Sequence, residues 1–229
     1  MQYGWRQRFV VLSVLGCALH AGAFAEPVAP SLAQDNRWET SFAAFDAADR
    51  QRAPAPGGVV FVGSSSIRLW DGLEQAFDKV PVIKRGFGGS RLSDCAAHVD
   101  RLVVKYRPRQ VIVYAGDNDL AEGATPAEVA ASFAKLVERV QAGLPETRIT
   151  FVSIKPSPLR ANLLDDVREA NRRILAIARA NPRLDYVDVF TPMLDERGVP
   201  RADLYGADSL HMNNAGYALW RELISARLH

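Results

Sequence analysis

Cysteine is almost missing from this chain: Cys17 and Cys95 are the only two in 229 residues. Cys17 falls in an expected export signal, and Cys95, left alone, cannot form an internal disulfide, so the domain has to stand on a hydrophobic core. Charge of one sign is missing as well. Lys and Arg number 28 against 26 Asp and Glu, and the first 25 residues hold Arg6 and Arg8 but no acid, so without them the balance is 26 to 26. With no basic surplus or patch arguing for it, nucleic acid is not expected as a partner. The apolar run Phe9 to Leu15 is far shorter than the roughly 20 residues a membrane-spanning helix needs, so no stable membrane span is expected. Histidine is scarce: beyond residue 25 there are only His98, His211 and His229. There is no internal repeat, no low-complexity tract and no sign of a second domain.

The first 25 residues read as an export signal. Arg6 and Arg8 precede the apolar run, and small residues lead to Ala23-Phe24-Ala25 ahead of Glu26 and Pro27. A charged start, a short apolar stretch and an A-x-A site predict cleavage after Ala25 and a periplasmic or secreted protein. Val14-Leu15-Gly16-Cys17 also resembles a lipobox, which would anchor the chain through a lipid on Cys17. Of the two, the A-x-A site is the cleaner. Residues 26–56 form a Pro- and Ala-rich lead-in and an N-terminal helix that Asn36 can cap and that carries Trp38, Phe42 and Phe45 at helical spacing.

Residues 57–229 carry the main domain. Short Val- and Ile-rich strands are expected at Val59 to Val62, Val80 to Lys84, Gln110 to Tyr114, Arg148 to Ile154 and Leu184 to Val189. They lack clean alternation, as strands buried on both faces do. Helical patterns lie between them: Leu92 to Tyr106, Pro126 to Gly143 behind a Thr125 cap with Glu128, Leu159 to Ala180, and Asn214 to Leu228. The prediction is α/β, a three-layer α/β/α sandwich with a mostly parallel five-stranded sheet of flavodoxin-like type. In such sheets ligands bind beyond the carboxyl ends of the strands.

Four post-strand segments hold unusual residues. "FVGSSSIRLW" places Ser64, Ser65 and Ser66 after the first strand, and residue chemistry does not choose a nucleophile among them; Ser66 reads as a helix N-cap. "RGFGGSRLSD" has three glycines in four residues, which lets backbone N–H groups face a ligand. It matches neither nucleotide-binding glycine pattern. "YAGDNDL" offers Asn118 as a side-chain donor, or Asp117 and Asp119 as ligands for a hard metal. "GADSLHMNNAGY" pairs Asp208 with His211 three residues on, a spacing that lets the carboxylate accept from Nδ1–H and leaves Nε2 as a base. In a helical pattern, His98 reads as a half-exposed side chain and Cys95 as a small buried hydrophobe. A serine, a glycine backbone, an amide and an Asp-x-x-His at one sheet edge together suit acyl transfer.

The chain resembles the SGNH hydrolases, the GDSL-type esterases and lipases, over nearly all of residues 57 to 228. Gly63-Ser64-Ser65-Ser66-Ile67 stands where their Gly-Asp-Ser block does, with Ser64 in place of the Asp. Gly89 matches the glycine of the second block, Gly116-Asp117-Asn118-Asp119 the Gly-x-Asn-Asp block, and Asp208-Ser209-Leu210-His211 the Asp-x-x-His block. The resemblance implies Ser65 as nucleophile, His211 as base and Asp208 as its orienting acid. It implies an oxyanion hole from the Ser65 and Gly89 N–H groups and the Asn118 amide, with no metal and no cofactor. A small-molecule or polysaccharide ester is the expected partner. Two other readings remain open: a metal-dependent phosphoesterase on Asp117, Asp119, Asp208 and His211, and a non-catalytic carbohydrate-binding protein on the same fold. Trp70, Phe87, Pro156, Pro158 and Leu159 are candidate cleft residues.

Overall fold

The computed structural model describes residues 1–4 and 37–228. The expected signal features from Trp5 onward, the lipobox Cys17, the cleavage site, the Asn36 cap and His229 lie outside the described residues. Contacts divide the chain into Met1–Arg37 and Trp38–His229. Residues 1–4 have no regular structure, so the fold is that of the second unit.

Five strands, β1 (Val59–Gly63), β2 (Val82–Gly86), β3 (Gln110–Tyr114), β4 (Arg148–Val152) and β5 (Leu184–Val187), form one sheet in the order β2-β1-β3-β4-β5. Every pairing is parallel. All residues of β1 and β3 are buried, which is why their sequences run apolar without alternation. One face, with Val60, Val62, Val111, Val113, Ile149 and Phe151, is covered by α1 (Glu39–Gln51), α4 (Leu92–Ala97), α5 (Val99–Leu102), α7 (Pro126–Gly143) and α8 (Leu164–Arg179). The other, with Val59, Phe61, Ile112, Tyr114, Val152 and Val187, packs under α2 (Ser65–Arg68), α3 (Leu73–Ala76) and α9 (Asn214–Ser225). A short helix α6 (Asp117–Ala121) follows β3. The architecture is the expected three-layer sandwich. From β1 the chain goes to β2 on one side and then to β3 on the other, so the strand order reverses at β1, the kind of switch point beyond whose strand ends ligands bind in open α/β sheets.

Several local expectations are refined. Helix α7 begins as the sequence indicates, with Thr125 Oγ1 accepting from Glu128 N and Glu128 Oε2 accepting from Thr125 N. The helix expected from Leu92 to Tyr106 breaks at His98. There Arg139 donates to the carbonyls of Ala96 and Ala97, taking acceptors that a continued helix would use. The helix expected from Leu159 starts at Leu164. Pro158–Leu163 is a 3₁₀ segment whose Leu159 N donates outward to Ser209 O. Ser66 is not an N-cap: that position belongs to Ser64, and Ser66 lies inside α2. Phe87 is core rather than cleft, while Trp70, almost wholly buried, borders a surface pocket with Leu69, Met212 and Tyr217. Trp70 packs among Phe61, Phe77, Tyr217 and Trp220, and Phe87 packs against Trp38 and Phe42. Pro156 is also buried, whereas Leu159 is 59% exposed.

Candidate active site

The register of the sheet brings the interesting segments level. Gly63 pairs with Gly86 on β2 and with Tyr114 on β3, so three neighbouring strands end together. Ser65 follows β1 by two residues, Gly89 follows β2 by three and Asn118 follows β3 by four. Gly63 is dictated by its surroundings. Its φ is +149°, and a Cβ there would lie 1.8 Å from the Tyr114 carbonyl oxygen. Only glycine lets β1 turn this tightly into α2. Gly116, at φ +120°, does the same for the turn into α6, where a Cβ would meet Ile154 Cδ1 at 2.6 Å.

Beyond β5 the chain returns to this edge. An isolated antiparallel bridge between Tyr205 and Met212, with Gly206 N donating to His211 O, closes a tight loop around Asp208 to Leu210. Ser209 at its tip has a left-handed φ of 56°. Asp208 Oδ1 accepts from the backbone N–H groups of Leu210 and His211 at 3.0 and 2.9 Å. Its Oδ2 lies 2.6 Å from His211 Nδ1, and His211 Nε2 lies 2.9 Å from Ser65 Oγ. The imidazole beside it, followed by those two backbone donors, holds the Asp208 carboxyl well below the usual carboxylate range, so it is ionised at neutral pH. An ionised acceptor favours the tautomer with Nδ1 protonated, which leaves the Nε2 lone pair facing the Ser65 hydroxyl. Of the three serines, Ser65 is the one whose hydroxyl meets an imidazole nitrogen; Ser64 and Ser66 are buried. His98 instead packs its ring against Trp38 and Phe42, and Cys95 is fully buried, which pushes its thiol far up.

The glycine-rich loop and α6 are stitched together. Leu92 N donates to both carboxylate oxygens of Asp119, and Asn118 Nδ2 donates to Ser90 O at 3.1 Å. Burial, only partly opposed by the Leu92 bond, pushes the Asp119 carboxyl up to about 6. Gly89, with φ 71°, immediately precedes the Ser90 anchor. Behind Asn118 is a group that strand-end reasoning passed over. Asp117 Oδ2 meets Lys155 Nζ at 3.4 Å and Arg160 Nη1 at 3.2 Å, while Arg160 Nη2 donates to Asn118 Oδ1 at 3.1 Å. Burial pulls the Lys155 ammonium below its ordinary value, and Asp117 opposes that shift. The sequence places two cations within eight residues of the end of β4 but does not show that they meet Asp117 and Asn118. Asp117 and Asp119 therefore turn to different partners, and among the described residues no three His, Cys, Asp or Glu side chains gather as a metal site.

The profile of the GDSL-like lipase/acylhydrolase family matches residues 58–219. The chain belongs to this family. Its members are esterases of lipase and acylhydrolase type, so ester hydrolysis is its general chemistry. Solved structures with the same fold include a GDSL-like lipase from Bacteroides thetaiotaomicron, 23% identical with a TM-score of 0.70, covering 81% of this chain and 96% of that one. A lipase/acylhydrolase from Enterococcus faecalis is 19% identical with a TM-score of 0.64, covering 75% and 94%. An acetyl esterase variant solved with acetate ion is 14% identical with a TM-score of 0.60, covering 75% and 95%. None of the curated proteins compared by sequence matches the chain. Among the described residues no helix of this acylhydrolase is long and apolar enough to cross a membrane.

Proposed function

We propose that this acylhydrolase is an exported serine esterase working through an acyl-enzyme. Ser65 Oγ attacks the ester carbonyl carbon while its proton passes to His211 Nε2. The carbonyl π pair moves onto oxygen, giving a tetrahedral oxyanion held by the Ser65 and Gly89 N–H groups and the Asn118 amide. Collapse re-forms the carbonyl, breaks the bond to the alcohol oxygen and returns the proton from His211 to that oxygen. Water then attacks the acyl-Ser65 with His211 again as base, releasing the carboxylic acid and free Ser65. Asp208 holds the imidazole in the tautomer both steps need. No metal enters these steps.

The observation that carries this reading is the unbroken relay from Asp208 Oδ2 through His211 to Ser65 Oγ, with links of 2.6 and 2.9 Å. Export is supported by the layout of the first 25 residues and by Cys95 as the one thiol beyond them. Because one fold neighbour is an acetyl esterase, a short acyl group on an extracellular polysaccharide or lipid ester is the substrate class to test first. Rapid mixing with an aryl acetate should give a burst of phenol equal to the enzyme present. Ser65→Ala should abolish both burst and turnover, while Ser64→Ala and Ser66→Ala keep measurable turnover. Full activity in Ser65→Ala would refute the reading.

A further inference from the structure

An oxyanion donor made from an asparagine side chain has a weakness that a backbone N–H lacks. The amide's oxygen and nitrogen are nearly the same size, so a half-turn about χ2 would aim the acceptor oxygen where the donor should be. In this chain both ends of the Asn118 amide are held by groups of fixed character. Ser90 O can only accept, and it takes one Nδ2 hydrogen at 3.1 Å. The Arg160 guanidinium can only donate, and it takes Oδ1 at 3.1 Å. A flipped amide would set oxygen against oxygen and nitrogen against nitrogen at these two contacts. The two locks together direct the remaining Nδ2 hydrogen.

Arg160 is itself held in place. Its other terminal nitrogen lies 3.2 Å from Asp117 Oδ2, so the planar fork spans two consecutive residues of α6. Asp117 is fixed in turn by buried Lys155. The backbone around Arg160 is anchored to the loop carrying the base: Leu159 N donates to Ser209 O at 3.1 Å, and Tyr205 Oη donates to Pro156 O. Thus the stretch from Pro156 to Arg160 touches the Asp208–His211 loop through its backbone and Asn118 through its side chain.

Resting on the serine-esterase reading above, we propose that Arg160 is a positioning residue for the reaction, fixing the rotamer of the Asn118 amide so that Nδ2 faces the developing oxyanion. The guanidinium does not touch the substrate; it acts through Asn118. Nη2 already donates to Asn118, and Nη1, buried and without a hydrogen bond, faces Asp117 as an ion pair, so the positive charge already has its counterion, which disfavours direct binding of an anionic ester group. Lysine cannot replace it fully, because a single ammonium cannot hold both acceptors in the plane of the fork.

The test is a double-mutant cycle on kcat with a neutral aryl acetate, using Arg160→Met, Arg160→Lys, Asn118→Ala and the double variants, with Ser65→Ala alongside. Arg160→Met should lower kcat by about 10- to 100-fold with KM within about threefold, bounded by the 10²–10³-fold expected for losing the donor altogether. Arg160→Lys should recover part of the loss. In the Asn118→Ala background, either Arg160 change should cost less than about threefold, because the group it positions is gone. Fully additive losses would overturn the proposal, as would a loss confined to KM or to an anionic ester such as an aryl hemisuccinate. If Arg160→Met fails to fold by circular dichroism, the Arg160→Lys arm of the cycle decides on the same criterion. Loss of turnover in Ser65→Ala with an additive Arg160 cycle would refute the positioning role alone. Retained turnover in Ser65→Ala would refute the esterase mechanism beneath it.

Discussion

Asn118 and His211 are the residues whose roles can be separated most sharply by substitution. If the Asn118 amide donates to the oxyanion, Asn118→Ala should lower kcat by about 10²–10³, roughly 3–4 kcal/mol, with little change in KM, since the charge it meets develops only in the transition state. Asn118→Asp should be at least as damaging, because a carboxylate repels that charge. Steady-state kinetics on one aryl acetate, with and without EDTA, check both. An Asn118→Asp enzyme near wild-type activity that chelation silences would favour metal chemistry instead. Histidine scarcity supplies a second contrast. The His211 ring reaches Ser65 and Asp208, whereas the His98 ring packs against Trp38 and Phe42. His211→Ala should cost several orders of magnitude in kcat and His98→Ala little, provided both fold. Equal losses would contradict the assignment of the base.

At the scale of elements, two attachments shape the site's surroundings. Helix α1 is fastened to the sheet domain by buried Phe42, and by Asp49, which accepts from Tyr106 Oη at 2.6 Å and pairs with buried Arg85. Phe42→Ala should destabilise the fold by about 3–5 kcal/mol, seen as a lower midpoint in urea. The Asp119 bond between α6 and the start of α4 has a pH signature. In the folded chain its carboxyl titrates near 6, against an ordinary 3.8. Between roughly pH 4 and 6 the unfolded chain has released that proton and the folded chain keeps it. Asp119 therefore makes stability fall as pH rises through this window, by an amount of order 1–3 kcal/mol. The depressed carboxyls Asp46, Asp49 and Asp208 lose their contributions only at lower pH. Urea midpoints at pH 5 and pH 7 should differ less in Asp119→Asn than in the wild type. An unchanged difference would remove Asp119 as its source.

For the whole molecule, the alternation of strands and helices was legible because a doubly covered parallel sheet writes itself as short apolar runs, as in Val59 to Val62 and Gln110 to Tyr114. The Asp208–His211 spacing and the glycine-rich turn were legible because local chain geometry fixes them. The choice of Ser65 among three serines was not. It depends on a contact spanning 146 positions, and residue chemistry left it open until family resemblance entered. Arg160 was missed for the same reason: its partner Asn118 lies 42 residues away on another strand end. The breaks at His98 and before Leu164 were illegible because tertiary donors and acceptors, Arg139 and Ser209, overrode local helical pattern. The proposed export is tested at this scale too. The extracellular or periplasmic protein should begin at Glu26 by N-terminal sequencing, whereas a fatty acid found on Cys17 would establish a lipoprotein instead.

Covalent capture of the nucleophile tests the central claim most directly. The purified protein, treated with an organophosphonate ester and digested, should carry one phosphonate adduct, on Ser65 by tandem mass spectrometry. Inactivation should follow its appearance in a one-to-one ratio and should fail in His211→Ala. An adduct on Ser64 or Ser66, or full inactivation with Ser65 unmodified, would contradict the account.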